Sequence, residues 1–187
     1  MRGVVIRSTG SWYTVRDDQG NTYPCRLRGK FRISGLKATN PVAVGDKVEF
    51  ELDGNDENGV ITIIDQRKNY IIRRSVKLSK VSHIIAANID NAILVATLAE
   101  PRTSTGFIDR FLVTAEAYEI KGSVVFNKVD LHSYEHTKEM EHLAGIYGRA
   151  GYTVITTSAK TGENLDRLQR MMANKVSLFS GHSGVGK

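Results

Sequence analysis

Cysteine is nearly absent from the 187-residue sequence, which has only Cys25, and no apolar run approaches the length of a membrane span. A single cysteine cannot form an internal disulfide, so a reducing cytoplasm is the expected compartment. Cys25 lies inside a predicted strand, which favours a structural thiol over a nucleophile. The first residues also lack the charged start, apolar centre and cleavage site of a secretory signal. The 41% hydrophobic and 25% charged residues are typical of a soluble globular protein with no membrane partner.

Acidic residues are under-represented in the first part of the chain. Residues 1–80 contain 15 lysines and arginines against 9 aspartates and glutamates, whereas residues 81–187 contain 11 of each. The formal net charge of +6 therefore belongs entirely to the N-terminal part. This asymmetry favours an anionic partner for that part of the protein.

Short β-rich pieces separated by turn residues predict a small barrel at the start of the chain. Strands are expected near residues 4–6, 12–15, 22–27, 44–52 and 60–64, with no helical period between them. An OB-type barrel is the first choice, because it matches in size and commonly binds nucleic acid. An SH3-like barrel is the alternative. We assign residues 1–70 to the barrel and residues 71–82 to a linker.

Strands and helices alternate over residues 83–187, which predicts an α/β domain with a mainly parallel sheet. Buried strands are expected near 84–87, 92–97, 124–126, 152–156 and 176–179. Amphipathic helices are expected over 108–121, 133–148 and 164–172. Gly122 stands where the first of these helices would stop.

The segment 181–187 has the spacing GxxxxGK of a phosphate-binding loop. Glycines allow the backbone to turn its N–H groups toward phosphates, and the lysine reaches the β- and γ-phosphates. A predicted buried strand leads into this loop, as the motif requires. The alternative is a flexible glycine-rich tail. The predicted phosphate contacts are Gly181, His182, Ser183, Gly184, Val185, Gly186 and Lys187, of which His182 occupies a variable position.

Two further motifs follow the preceding strands, where α/β folds bind ligands. The NKxD sequence Asn127-Lys128-Val129-Asp130 suits guanine, because the Asp130 carboxylate can accept both guanine N1–H and the 2-amino group. Lys128 would lie along the base, and Asn127 would tie this loop to the phosphate loop. The tripeptide Ser158-Ala159-Lys160 would offer the Ala159 N–H to guanine O6. Alone, either motif could be an ordinary loop, whereas three motifs at three strand ends point to one ligand.

The motifs run in the order NKxD, SAK, phosphate loop, while an ordinary GTPase begins with its phosphate loop. This permuted order, with residues 85–91 and 108–112, resembles the ribosome small subunit-dependent GTPase A family (RsgA, also called YjeQ). The resemblance covers essentially the whole chain. It implies an OB barrel, a circularly permuted P-loop GTPase domain and a C-terminal zinc-binding domain.

The resemblance also implies a cytoplasmic bacterial ribosome biogenesis factor. It would bind the small ribosomal subunit and its rRNA, use GTP and GDP with Mg²⁺, and hydrolyse GTP when stimulated by the subunit. We expect a monomer. The Mg²⁺-binding Ser/Thr, both switch segments and the Zn²⁺ domain would follow Lys187, so the GTPase domain is expected to be incomplete and the chain alone inactive. Catalytic residues are therefore unknown, and no metal ligand is assigned here.

Basic residues with aromatic neighbours are the predicted RNA contacts of the barrel and linker. A solvated basic surface with core aromatics is the alternative interpretation of this charge. An RNA-binding module with a degenerate, purely structural nucleotide domain is the alternative function. An ATP-using P-loop enzyme is a third possibility, which Asp130 argues against. The RNA-binding candidates are Arg26, Arg28, Lys30, Arg32, Arg73 and Arg74.

Overall fold

The computed structural model describes residues 1–28, 41–53, 58–74 and 82–187. They divide into two compact units, Met1–Asn88 and Ile89–Lys187. No described helix is long and apolar enough to cross a membrane. Each unit has its own hydrophobic core.

The first unit contains a closed five-stranded barrel in the order β1-β2-β3-β5-β4. Strands β3 and β5 are parallel, and the other neighbours are antiparallel. This arrangement confirms the predicted OB-type barrel rather than the SH3-like alternative. The strands are β1 (Arg2–Thr9), β2 (Trp12–Asp17), β3 (Thr22–Leu27), β4 (Lys47–Leu52) and β5 (Gly59–Ile64).

Alternation along the strands decides which side chains fill the barrel. On β2, Tyr13 and Val15 are buried while Trp12 and Arg16 face outward. Cys25 on β3 is fully buried, and burial raises the pKa of its thiol to about 11, in keeping with a structural role. The inward residues pack into one cluster that includes Val5, Val15, Val48, Phe50 and Ile61.

A buried ion pair lies between the barrel and the residues that follow it. The Asp46 side chain is 0% exposed and that of Arg67 is 9% exposed. Arg67 donates from Nε and Nη2 to the two Asp46 oxygens at 2.6 Å each, and from Nη2 to the carbonyl of Pro41 at 2.8 Å. Asp46 also accepts the Ala43 N–H at 2.8 Å. These bonds satisfy both charges inside the fold.

Two further strands complete the first unit. β6 (Tyr70–Arg74) and β7 (Ser82–Ala87) pair as an antiparallel two-stranded sheet. The Ala87 N–H donates to the carbonyl of Val44, which connects β7 to the segment before β4. The segment 71–82, predicted as a linker, therefore begins inside β6 and ends at the first residue of β7.

The second unit is a four-stranded parallel sheet in the order β10-β9-β8-β11. Helices α1 and α2 pack against Leu94 and Val124 on one face, and α3 packs against Ile93 and Val125 on the other. This layering confirms the α/β prediction, but the strand predicted at 84–87 is not part of the parallel sheet, because it belongs to β7 of the first unit. The elements are β8 (Asn91–Ala96), α1 (Thr105–Ala117), β9 (Lys121–Phe126), α2 (Tyr134–Arg149), β10 (Thr153–Thr156), α3 (Leu165–Met172) and β11 (Ser177–Ser180).

The end of α1 differs from the prediction. The helix ends at Ala117, and Glu119 takes the left-handed conformation that turns the chain toward β9. Gly122, predicted as the stop, instead lies buried within β9. A Cβ at this position would come within 3.0 Å of the Leu112 side chain, so the glycine permits close packing of strand and helix.

Candidate functional site

The three predicted motifs lie at the same edge of the parallel sheet. NKVD follows β9, SAK follows β10 and the glycine-rich loop follows β11. Because all four strands run the same way, their carboxyl ends meet at one edge. β8 separates β9 from β11, so residues 97–103, which follow β8, lie at this edge too.

Asn127 joins these loops through its side chain. The residue is 3% exposed, and its Nδ2 donates to the carbonyl of Val185 in the glycine-rich loop at 2.9 Å. Its Oδ1 accepts from the Ala159 N–H at 3.1 Å and from the Thr157 hydroxyl at 3.2 Å. One amide thus fixes the relative positions of all three motifs, and sequence reasoning had expected only its link to the phosphate loop.

The Asp130 carboxylate is exposed and held in place by SAK. The Ser158 hydroxyl donates to Asp130 Oδ1 at 2.6 Å and accepts the Thr161 N–H at 3.1 Å. A carboxylate has about four acceptor positions, so the bond from Ser158 leaves capacity for a ligand. Ser158 is 0% exposed, and it therefore orients Asp130 from below the surface. The Ala159 N–H, predicted to meet guanine O6, is engaged with Asn127 in this structure.

The glycine-rich loop closes on itself around its lysine. Lys187 Nζ donates to the carbonyl oxygens of Gly181 and His182 at 3.0 and 2.8 Å. Gly186 has a φ of 87°, and a Cβ there would overlap the Asn127 side chain. Glycine at 186 is thus required both by the backbone conformation and by the Asn127 contact.

Residues 97–107 form a further wall that sequence reasoning missed. Lys128, in the left-handed conformation, donates from Nζ to the Glu100 carbonyl rather than standing free. The Phe107 ring at the start of α1 contacts the ring of His182, with centroids 4.2 Å apart. The contact between Phe107 and His182 involves two ring-bearing side chains, which are visible in the sequence. The acceptor for Lys128 is the backbone carbonyl of Glu100, which no residue type indicates.

The remaining motif residues are less engaged. Val129 begins a single turn of 3-10 helix, and its N–H donates to the Thr157 carbonyl at 3.2 Å. Lys160, Ser183 and Gly184 are exposed at the rim, while Val185 is fully buried beneath the loop.

Two histidines lie just beyond NKVD. The ring centroids of His132 and His136 are 6.0 Å apart. Both ring nitrogens of His132 are buried, and neither has a hydrogen-bond partner among the described residues. Burial lowers the pKa of His132, His136 lowers it further, and the Asp130 carboxylate opposes both effects. In the described part of the chain, no group of three or more His, Cys, Asp or Glu side chains is placed to hold a metal ion.

The RNA-binding candidates are only partly described. Arg26 is exposed on β3, and its guanidinium carbon lies 3.9 Å from the centroid of the Trp12 ring. Arg28 is exposed and lies 3.7 Å from Glu51. Lys30 and Arg32 are outside the described residues. Arg73 and Arg74 belong to β6, but their side chains are outside the described part.

Comparison with known proteins gives consistent matches over both units. The family model described as RsgA GTPase matches residues 64–187, and the one described as RsgA N-terminal domain matches residues 2–61. A protein of Christiangramia forsetii, named small ribosomal subunit biogenesis GTPase RsgA, is 54% identical over 100% of this chain and 60% of its own length. The chain thus spans about 60% of the length of this curated relative.

Two solved structures share the fold. The crystal structure of YjeQ from Thermotoga maritima matches with a TM-score of 0.82 and 38% identity, covering 100% of this chain and 62% of that one. YloQ, whose title calls it a circularly permuted GTPase, matches with a TM-score of 0.76 and 30% identity, covering 99% of this chain and 61% of that one. The permuted order of motifs is therefore a feature that this chain shares with a solved GTPase.

Proposed function

The chain belongs to the RsgA GTPase family, and we therefore propose that its protein binds GTP and GDP at the edge formed by NKVD, SAK and the glycine-rich loop. The complete protein hydrolyses GTP while assisting maturation of the small ribosomal subunit in the bacterial cytoplasm. Hydrolysis is stimulated by the subunit. One observation carries the nucleotide site: Asn127 bonds to Val185 and Ala159, which joins base-reading and phosphate-binding loops around one ligand.

The base end of the site selects guanine over adenine. Asp130 accepts the guanine N1–H and 2-amino group, and the bond from Ser158 Oγ holds the carboxylate in orientation. Adenine has an acceptor at N1 and lacks the 2-amino group, so it would leave the carboxylate unpaired. Sites built on such complementary hydrogen bonds reject the wrong analogue by about 10⁴-fold or more.

The glycine-rich loop binds the negatively charged phosphates of the nucleotide. When phosphates enter the loop, the Lys187 ammonium exchanges the carbonyls of Gly181 and His182 for phosphate oxygens. Mg²⁺ bound with GTP would supply positive charge for phosphoryl transfer. No described residue is assigned to Mg²⁺ or to the attacking water.

The barrel supplies the contact with rRNA, through Arg26, Arg28, Lys30 and Arg32, with Arg73 and Arg74 adding charge. The support is the OB-type fold together with the basic surplus in residues 1–80. Contacts to phosphates are expected to weaken as salt rises, because each one releases condensed counterions.

The test of the nucleotide site is Asp130→Asn. The full-length variant should bind GDP at least about 100-fold more weakly, because two charge-assisted hydrogen bonds are lost. It should gain affinity for xanthosine diphosphate, in which an acceptor replaces the 2-amino donor. Titration with fluorescent GDP and with fluorescent xanthosine diphosphate measures the two affinities.

Asp166→Asn is the matched control. Asp166 lies on α3, is 66% exposed and pairs with Arg170, so its replacement makes the same charge change away from the motifs. Unchanged GDP binding by Asp130→Asn would remove this carboxylate from the site. If the parent bound no guanine nucleotide, an RNA-binding module with a structural second unit would be the better description. Phosphate release with and without small subunits tests the hydrolysis proposal separately.

A further inference from the structure

Trp12 occupies an unusual place for a tryptophan, on the outer face of the barrel. It begins β2 and is 37% exposed, while its neighbour Tyr13 points into the core at 3% exposure. Arg26 lies on the adjacent strand, next to the Tyr13–Cys25 pair, with its guanidinium carbon 3.9 Å from the indole centroid. The Arg26 guanidinium thus lies over the indole ring, and the pair leaves planar groups exposed across β2 and β3.

Two further arginines lie near this surface, one on β1 and one on β2. Arg7 on β1 pairs with Thr14 in register, and Arg16 ends the same row of outward positions on β2. Arg7, Arg16 and Arg26 are exposed, and none makes an ion pair with any residue within the described ranges. Arg2 of the same barrel, by contrast, binds Glu49 at 2.6 Å.

We propose that the Trp12–Arg26 pair stacks an unpaired RNA base, while Arg7 and Arg16 contact the neighbouring phosphates. The inference rests on the proposed RNA-binding function of the barrel and names the place and the class of nucleotide. An aromatic surface flanked by arginines fits a nucleotide, because the aromatic group can stack on the base while the arginines bind the phosphates on either side of it. A base inside a duplex is already covered on both faces, so a single-stranded or looped segment is the partner.

An acidic protein segment is the competing occupant, since it would also be attracted by the arginines. It would gain nothing from the exposed indole beyond ordinary apolar contact. Trp12 keeps 37% of its surface exposed even with the Arg26 guanidinium over its ring, so planar surface remains on which a base can stack. The planar geometry therefore favours nucleic acid over protein.

The experiment uses the fact that Trp12 is the only tryptophan of the chain. Its emission reports from this position alone. The 187-residue chain is titrated at low salt with oligoadenylate RNA of about 12 nucleotides, within the site size of one OB barrel. The same titration is made with an RNA duplex of that length and with polyglutamate. Quenching is expected with the single strand and little with the other two.

Variants measured by anisotropy of labelled oligoadenylate complete the test. Trp12→Leu should weaken binding about 10- to 100-fold, and Trp12→Phe should retain most of the affinity because it keeps a stacking ring. Ile63→Leu, at an exposed position on β5, is the control and should bind as the parent does. Far-UV circular dichroism and cooperative unfolding establish that each variant is folded.

The outcomes separate this inference from the proposed function. Tight RNA binding with unchanged Trp12 emission and a neutral Trp12→Leu would overturn the stacking site but leave RNA binding intact. No binding by the folded parent at low salt would overturn RNA binding by this part of the protein as well. Equal quenching by polyglutamate would assign the surface to an acidic protein segment instead.

Discussion

Asn127 is the side chain on which the three loops of the site converge, and its replacement by alanine should destabilise the second unit. The substitution removes three side-chain hydrogen bonds at once. It leaves the Val185 carbonyl, the Ala159 N–H and the Thr157 hydroxyl without their present partner. It removes no large apolar surface, so the effect isolates hydrogen bonding from packing.

The magnitude follows from the burial of the groups left behind. An unsatisfied buried donor or acceptor costs about 1–3 kcal/mol. The Thr157 hydroxyl is buried, but Ala159 is exposed and its N–H can recover a bond to water. Two full penalties, with partial relaxation, give an expected loss of about 2–4 kcal/mol in the free energy of unfolding. This is a large share of the roughly 5–15 kcal/mol that stabilises a domain.

Far-UV circular dichroism during urea unfolding is the assay. All the α-helices in the described ranges belong to the second unit, so the helical signal follows that unit. Trp12 emission follows the barrel in the same sample and should show an unchanged midpoint. Thr157→Val is the graded control, because it removes only the bond to Asn127 Oδ1 and should cost about 1 kcal/mol.

A loss below about 0.5 kcal/mol for Asn127→Ala, no greater than an ordinary surface substitution, would refute the reasoning. It would mean that the loops hold their positions without the amide. A fall in Trp12 midpoint equal to that of the helical signal would also count against it, because the damage would then not be local to the second unit.

Three further outcomes are expected. Asp46→Asn should destabilise the barrel by about 3–5 kcal/mol in urea unfolding, because Arg67 is left charged and buried. Glu49→Gln, which breaks an exposed ion pair, should cost only about 0–1 kcal/mol. Similar costs for the two variants would contradict this prediction. Cys25 should resist iodoacetamide at neutral pH until the protein is unfolded, since its pKa is about 11; rapid labelling of the native chain would show an accessible thiolate. Burial lowers the pKa of His132 in the folded state. The neutral ring therefore makes its full contribution to the free energy of unfolding above pH 6.5, and that contribution is lost as the pH falls below this value. The melting temperature should therefore fall more between about pH 7 and 5 for the parent than for His132→Gln. If the melting temperatures of the two proteins changed with pH in parallel, His132 would not be the source of the pH dependence.

Much of this site could be predicted because its chemistry is local. NKVD, SAK and the glycine-rich loop each need particular residue types at fixed spacing, so the motif and its place at a strand end were both predictable. The Asn127 link to the phosphate loop followed from the same reasoning, although the role of Asn127 as a ligand-site residue stays a prediction.

Other contacts could not be predicted, because they depend on atoms or directions that sequence does not encode. The acceptor for Lys128 is a backbone carbonyl at Glu100, and any residue type would provide it. The Ser158 hydroxyl can serve a turn or a carboxylate equally well, and only the approach of β9 to β10 decides for Asp130. Alternation on β2 separates Trp12 from Tyr13, but it does not say which of the two rows of side chains faces the barrel interior.

The sheet order has a consequence for the timing of assembly. Ser177 of β11 pairs with Asn91 of β8, far earlier in the chain, whereas β8, β9 and β10 are neighbours in both sequence and space. A chain emerging from its N-terminus can therefore form the side of the sheet proposed to read guanine before β11, which leads into the glycine-rich loop, has been synthesised. In an unpermuted GTPase the phosphate loop is made first. Here the proposed phosphate-binding loop is completed after NKVD and SAK, once β11 has paired with β8.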